Sequence, residues 1–161
     1  MSFTYARRAG LTAIFSMVFL TTLALAGCSS TPAPAPSSSN SNFIIPSSGK
    51  LPEFVPDGTA EYNVTYLAYV VAQTQAKDPK LDAPEVAEKV ASSGFARAGI
   101  QFTYGATAAG LDADSMYVAV PWGDKCMIAQ YGPVITGVHT AVLPVLKQGG
   151  CLIGPTVQTL R

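Results

Sequence analysis

The hydrophobic and polar positions divide the chain into three stretches. Residues 11–26 (LTAIFSMVFLTTLALA) are an apolar run without a charge, placed just after Arg7 and Arg8. Residues 29–56 show no periodicity; Ser, Pro and Asn dominate, and Phe43-Ile44-Ile45 is the one apolar interruption. Periodic patterns begin beyond that. Tyr62, Tyr66, Tyr69, Val70 and Gln73 recur at helical spacing, so a helix is expected over about 60–77, capped by Asp57 or Thr59 and broken by Asp78-Pro79. Its tyrosine stripe reads as core in preference to a binding surface. Asp82-x-x-Glu85 resembles a capping box and opens a second helix over about 83–93, with Val86 and Val90 inward and Gly94 as the stop.

The second half alternates with period two. Ile100, Phe102 and Tyr104 form one set, and Met116, Val118 and Val120 the next. Gly123-Asp124 fits a two-residue hairpin turn, which pairs Val120 with Met127, Val118 with Ala129 and Met116 with Tyr131. All six then share one face, so turn and pattern agree on the register. Residues 133–161 are rich in Gly and Pro; Thr140–Leu146 fits a strand or a short helix, and Pro144 weakens both. The order predicts an α+β fold, with two N-terminal helices packed on a small antiparallel sheet of about three to four strands.

The apolar run at 11–26 is short for a membrane span, which needs roughly 20 residues. It fits the central region of an export signal. It ends in Leu25-Ala26-Gly27-Cys28, the arrangement of a bacterial lipobox, in which the cysteine thiol takes up a diacylglycerol. The rival readings are an ordinary signal peptide or a single membrane anchor. Arg7-Arg8 hints at twin-arginine export, although the flanking residues support it poorly. The expected division is a signal peptide at 1–27, lipidated Cys28 with a Ser/Pro-rich tether over 28–56, and a single domain over 57–161. Two or three acyl chains, palmitate among them, would hold Cys28 stably at the extracytoplasmic face of the cell membrane. The tether has a coil reach on the order of 30 Å, and Phe43-Ile44-Ile45 is expected to dock on the domain in preference to a partner.

Composition sharpens this division. The 161 residues carry a formal net charge of zero, and only 12% are charged. With no Lys/Arg cluster to displace phosphate counterions, nucleic acid is excluded as a partner. The mean hydropathy of +0.29 is inflated by the signal. Cleavage also removes Arg7 and Arg8, leaving eight basic against ten acidic residues and a mature net charge of −2. Of the three cysteines, Cys126 and Cys151 remain once Cys28 is lipidated. In an oxidising compartment the pair reads as a disulfide, closing a loop worth roughly 3.5 kcal/mol by chain entropy. The rival reading makes one of them a catalytic thiol.

Candidate chemistry is sparse. His139 is the sole histidine; it could pair with Cys126 as a thiol–imidazole couple, but nothing adjacent in sequence orients it. Asp112-x-Asp114 starts like a calcium loop and then fails, since Tyr117 and Gly123 stand where glycine and glutamate are needed. One histidine and a bridged cysteine pair cannot supply a zinc site. Gly94-Phe-Ala-Arg-Ala-Gly99 lacks the third glycine of a dinucleotide loop and lies between a helix and a strand, the wrong order. No catalytic, cofactor-binding or metal-binding constellation emerges. Trp122 at the hairpin tip is the best candidate for a partner contact, because turn tips are normally exposed and aromatics are enriched at interfaces.

The stretch from Gly110 to Gly154 resembles a domain family of unknown function found in actinobacterial lipoproteins. The similarity is carried by Ala113-Asp114-Ser115, Trp122-Gly123, Cys126, Ile128, Gln130 and Gly150-Cys151-Leu152-Ile153-Gly154. Both cysteines sit inside that shared pattern, which suits a structural bridge. The resemblance implies an envelope lipoprotein and brings no catalytic residues. The leading expectation is a non-catalytic binding or scaffold domain with an envelope protein or wall component as partner. The alternatives are an envelope hydrolase using His139 and a receptor for a small apolar ligand.

Overall fold

The computed structural model describes residues 39–44, 49–79 and 81–161. Cys28, the signal segment and Ile45 lie outside the described residues.

Two helices form as the capping signals direct. Helix α1 (Ala60–Lys77) starts at Thr59, whose Oγ1 accepts from the Tyr62 N–H at 3.2 Å. Its buried face is Ala60, Asn63, Val64, Leu67, Ala68 and Val71, spaced i, i+3, i+4, i+7, i+8 and i+11. The tyrosines flank this stripe: Tyr66 and Tyr69 are half-buried and Tyr62 is 54% exposed. The expected tyrosine core is therefore displaced by small aliphatic residues. These bring the helix close to the sheet, while tyrosine keeps its polar end toward water at the rim. Helix α2 (Ala83–Ser92) carries its capping box, with the Asp82 N–H donating to Glu85 Oε2 at 3.2 Å. Val86, Ala87 and Val90 face inward.

The sheet has six strands: β1 (Ser39–Phe43), β2 (Gln101–Thr103), β3 (Met116–Trp122), β4 (Lys125–Tyr131), β5 (Val138–Pro144) and β6 (Val157–Thr159). Their order is β1-β5-β4-β3-β2-β6, with every neighbouring pair antiparallel. This corrects the expected three to four strands. The additional ones are short or polar edges that carry no hydrophobic alternation, so tertiary pairing makes them strands. The central hairpin has the expected register, with Val120 opposite Met127, Val118 opposite Ala129 and Met116 opposite Tyr131. Its turn places Gly123 at φ +63°, where glycine has no steric penalty. Residues 138–144 resolve to a strand because both sides are paired, to β4 and to β1.

The helices cover one face of the sheet, and the core lies between. Leu67, Val71, Val86, Val90, Ile100, Val118, Met127 and Val138 are among its fully enclosed members. Residues 49–58, most of them within the expected tether, are fastened to this core. Asn63 is wholly buried; its Nδ2 donates to Val55 O at 2.8 Å and its Oδ1 accepts from the Val55 N–H at 3.0 Å. Phe54 packs among Tyr66, Phe95 and Trp122, with ring centroids 5.0–5.9 Å away. Strand β1 also comes from the expected tether. It is pinned by Thr140, a buried residue whose Oγ1 lies 2.8 Å from Ser41 Oγ and donates to Ser41 O at 3.3 Å. Of the expected docking triplet, Phe43 is half-buried against the core and meets Tyr69 edge-on, whereas Ile44 is 64% exposed.

Candidate functional site

The outer face of the sheet, away from the helices, divides into a covered half and an open half. The covered half lies toward the β3–β4 turn. There Cys126 and Cys151 are joined as a disulfide across 25 residues, with Cα atoms 5.5 Å apart. The bridge draws the segment after β5 over the sheet, where Val145 and Leu152 pack with Ala119, Cys126 and Ile128. Gln101 on β2 fixes the same segment, its Oε1 accepting from the Cys151 and Leu152 N–H groups at 2.6 and 3.0 Å. Both cysteines are thereby committed to the bridge, so neither is a free thiol beside His139.

The open half is a groove of about 340 Å³ spanning four strands. Asn42 pairs with His139, His139 with Gln130, and Gln130 with Tyr117. Directly opposed residues project to the same side of a sheet, so these four side chains form one row from β1 through β5 and β4 to β3. Ile128 and Ala141, themselves ladder partners, lie two residues further along the same face and help to line the groove. Gln130 is held in place by its Nε2, which donates to Ser115 Oγ at 3.0 Å. No residue lining the groove is Asp, Glu, Lys or Arg. At the β1 end the backbone of Gly137, at φ +74°, lies against the strand; a Cβ there would fall 2.7 Å from both Asn42 Oδ1 and Phe43 O. A side chain at 137 would therefore displace the strand that supplies Asn42.

His139 is thus in the groove, exposed, and without a side-chain hydrogen bond among the described residues. Asp124 sits in the β3–β4 turn, six residues along β4 from Gln130 and hence roughly 20 Å distant. Asp112 pairs through its backbone with Ala106, in the loop before β3. The described residues contain no group of His, Cys, Asp and Glu side chains able to hold a metal ion. None of their helices is long and apolar enough to cross a membrane.

Trp122 differs from the expectation of an exposed tip. Its ring turns toward the helix side and packs on Phe54 and Phe95, and its Nε1 donates to Gly58 O at 2.9 Å. The signal was present in the sequence. Trp122 has the same parity as Met116, Val118 and Val120, which places it on the inner face.

Two polar atoms are buried without a hydrogen-bond partner among the described residues, Gln75 Nε2 and, in the core, the Tyr131 hydroxyl. Burial, reinforced by the negative charge of Asp82, drives its phenol well above the ordinary range. The exposed pairs Glu88–Arg97 and Glu61–Lys125 each hold the carboxylate below, and the cation above, its usual value through their hydrogen bond. Both are solvent-screened surface contacts distant from the groove.

Fold and groove define a small α+β domain with one curled antiparallel sheet. The chain belongs to a family described as a domain of unknown function, DUF6993, whose model matches residues 71–155, just over half of the chain. The match runs from the middle of α1 through β5 to the disulfide-bonded segment, leaving β1 and β6 outside it. No curated protein and no solved structure matches the chain.

Proposed function

We propose that this chain is an extracytoplasmic lipoprotein, anchored to the cell membrane through diacylglyceryl-Cys28, and that its domain is a non-catalytic binding module for a component of the cell envelope. The binding surface is the open half of the outer face. The observation that carries this reading is the row Asn42–His139–Gln130–Tyr117, four hydrogen-bonding side chains aligned across four strands. The groove combines an apolar floor with a polar wall of amides, an imidazole and a phenol. That combination of apolar area and a few convergent polar groups is typical of ligand sites. A hydrolase built on His139 would need a nucleophile or an orienting acid at hydrogen-bond reach, and none meets it among the described residues.

The anchor and the groove are tested separately. Metabolic labelling with a palmitate analogue should mark the wild type and leave Cys28→Ala unlabelled and released from the membrane; an unlabelled wild type would refute the anchor. For the groove, the full mature chain in detergent is sedimented with purified cell-wall sacculi. Gln130→Leu or Tyr117→Ala should lower the bound fraction several-fold, and equal sedimentation of wild type and both variants would refute the groove. Trp122→Ala is a poor probe of contact, because its ring is also a packing element for Phe54 and Phe95.

A further inference from the structure

Resting on the groove reading above, we infer that the ligand is a neutral glycan, a short stretch of an uncharged polyhydroxylated chain lying across the strands. The first argument is charge. With no carboxylate, ammonium or guanidinium lining the groove, a cationic ligand would lose hydration without gaining a counter-charge, and a polyanion would meet at most the single imidazole of His139. A nucleic acid or an acidic polymer is therefore mismatched.

The second argument is hydrogen-bond type. The carboxamides of Asn42 and Gln130 each offer both donors and an acceptor, and the two ring nitrogens of His139 add further hydrogen-bonding positions. Sugar hydroxyls are likewise donor and acceptor at once, so each can be met from both sides. Gln130 is already oriented by Ser115, which reduces the ordering cost on binding.

The third argument is shape. The row spans three strand spacings, roughly 14 Å, and its volume of about 340 Å³ lies near the lower end of small-molecule sites, at roughly 300–1,000 Å³. Those dimensions suit a few linked rings. Tyr117 closes one end of the row with an aromatic surface for the C–H face of a ring, and Ile128 and Ala141 give the apolar floor. An extended peptide would more naturally add to a sheet edge through its backbone. The row lies on the face of the sheet, whereas the sheet's free edges are those of β1 and β6.

The test is competition in the sacculus sedimentation assay with the full mature chain. Soluble neutral trisaccharides (chitotriose, cellotriose and a galactotriose) are compared with a uronic-acid trisaccharide and a neutral tripeptide. At least one neutral trisaccharide should release the wild type, and its affinity should fall at least tenfold in Gln130→Leu. Tyr117→Phe, which keeps the ring, should fall less than Tyr117→Ala. Unchanged thermal midpoints would show that the variants remain folded. Release by the acidic sugar or the peptide alone, or groove-dependent sedimentation that no neutral sugar competes, would overturn the glycan and leave the groove standing. Sedimentation that ignores Gln130 and Tyr117 would overturn both.

Discussion

The two faces of the sheet are built from alternate residues of the same strands, yet they follow different rules. On the inner face, Val118, Val120, Met127, Ala129, Val138 and Val142 are all at most 5% exposed beneath the helices. On the outer face the alternate positions of those strands are Tyr117, Ala119, Pro121, Cys126, Ile128, Gln130, His139, Ala141 and Leu143. Half of that face is covered by a single covalently held segment, and half is open. Helices can cover a sheet without help because they bring their own apolar stripe. A Gly- and Pro-rich segment cannot, so here it is stapled. The inner face thus encodes stability through burial, while the outer face divides its positions between a staple and a binding groove.

The largest effect expected from breaking this arrangement is at the staple. Replacing both cysteines by alanine should cost about 3.5 kcal/mol by the loop-entropy model for a loop of this length. That corresponds to a fall of roughly 10–15 °C in the unfolding midpoint for a domain of this size, read by calorimetry under oxidising conditions. Reduction of the wild type should give the same fall. A shift of only a degree or two would mean that Gln101 and the Val145–Leu152 packing hold the segment by themselves.

The inner face was far more legible in the sequence than the outer. Helix caps at Thr59 and Asp82, and the hairpin at Gly123-Asp124, are local signals that agree with the burial pattern, so elements and register could be read together. Strand β1 could not. Its sequence, Ser39-Asn-Ser-Asn-Phe43, has no apolar alternation; it is a strand because β5 presents an unpaired backbone edge and Thr140 needs Ser41. The same gap hid the groove. Gln130 and His139 stand out individually, but their alignment with Asn42 requires the registers of β5 on β4 and of β1 on β5, which only tertiary pairing fixes. The attachment of residues 49–58 is equally hidden by the Pro and Ser content of residues 29–56, because it rests on one buried side chain, Asn63, which holds both backbone polar groups of Val55.

An intermediate effect is expected at the flaw in the inner face. Tyr131→Phe removes a buried hydroxyl that has no partner, so it should be neutral or stabilising by up to about 1 kcal/mol near pH 7. The sign with pH follows from the raised phenol. Below the unfolded value, near 10.0, folded and unfolded chains both hold the proton. Above it, the unfolded chain loses the proton first, so stability falls as pH rises, by up to about 1.4 kcal/mol per unit for this group. Urea titrations between pH 7 and 11 should show a shallower alkaline decline in Tyr131→Phe than in the wild type. Parallel curves would mean that the hydroxyl reaches water or a partner.

The smallest effect on stability, and the sharpest division between the faces, is expected in the groove. Gln130 contributes one hydrogen bond, to the Ser115 hydroxyl, at a partly exposed position. His139 is exposed, and Tyr117 is half-covered at the end of the row. Substitutions at such positions usually change stability by no more than about 0.5 kcal/mol. Gln130→Leu should therefore leave the thermal midpoint within about 2–3 °C of wild type, while lowering retention on sacculi several-fold. An apolar side chain of similar size there can even strengthen β-sheet packing. Were Gln130→Leu to destabilise the domain as strongly as loss of the disulfide, the row would be a structural network and the two faces would share one role. Stability retained with binding lost would place the function on the half of the outer face that the fold leaves uncovered.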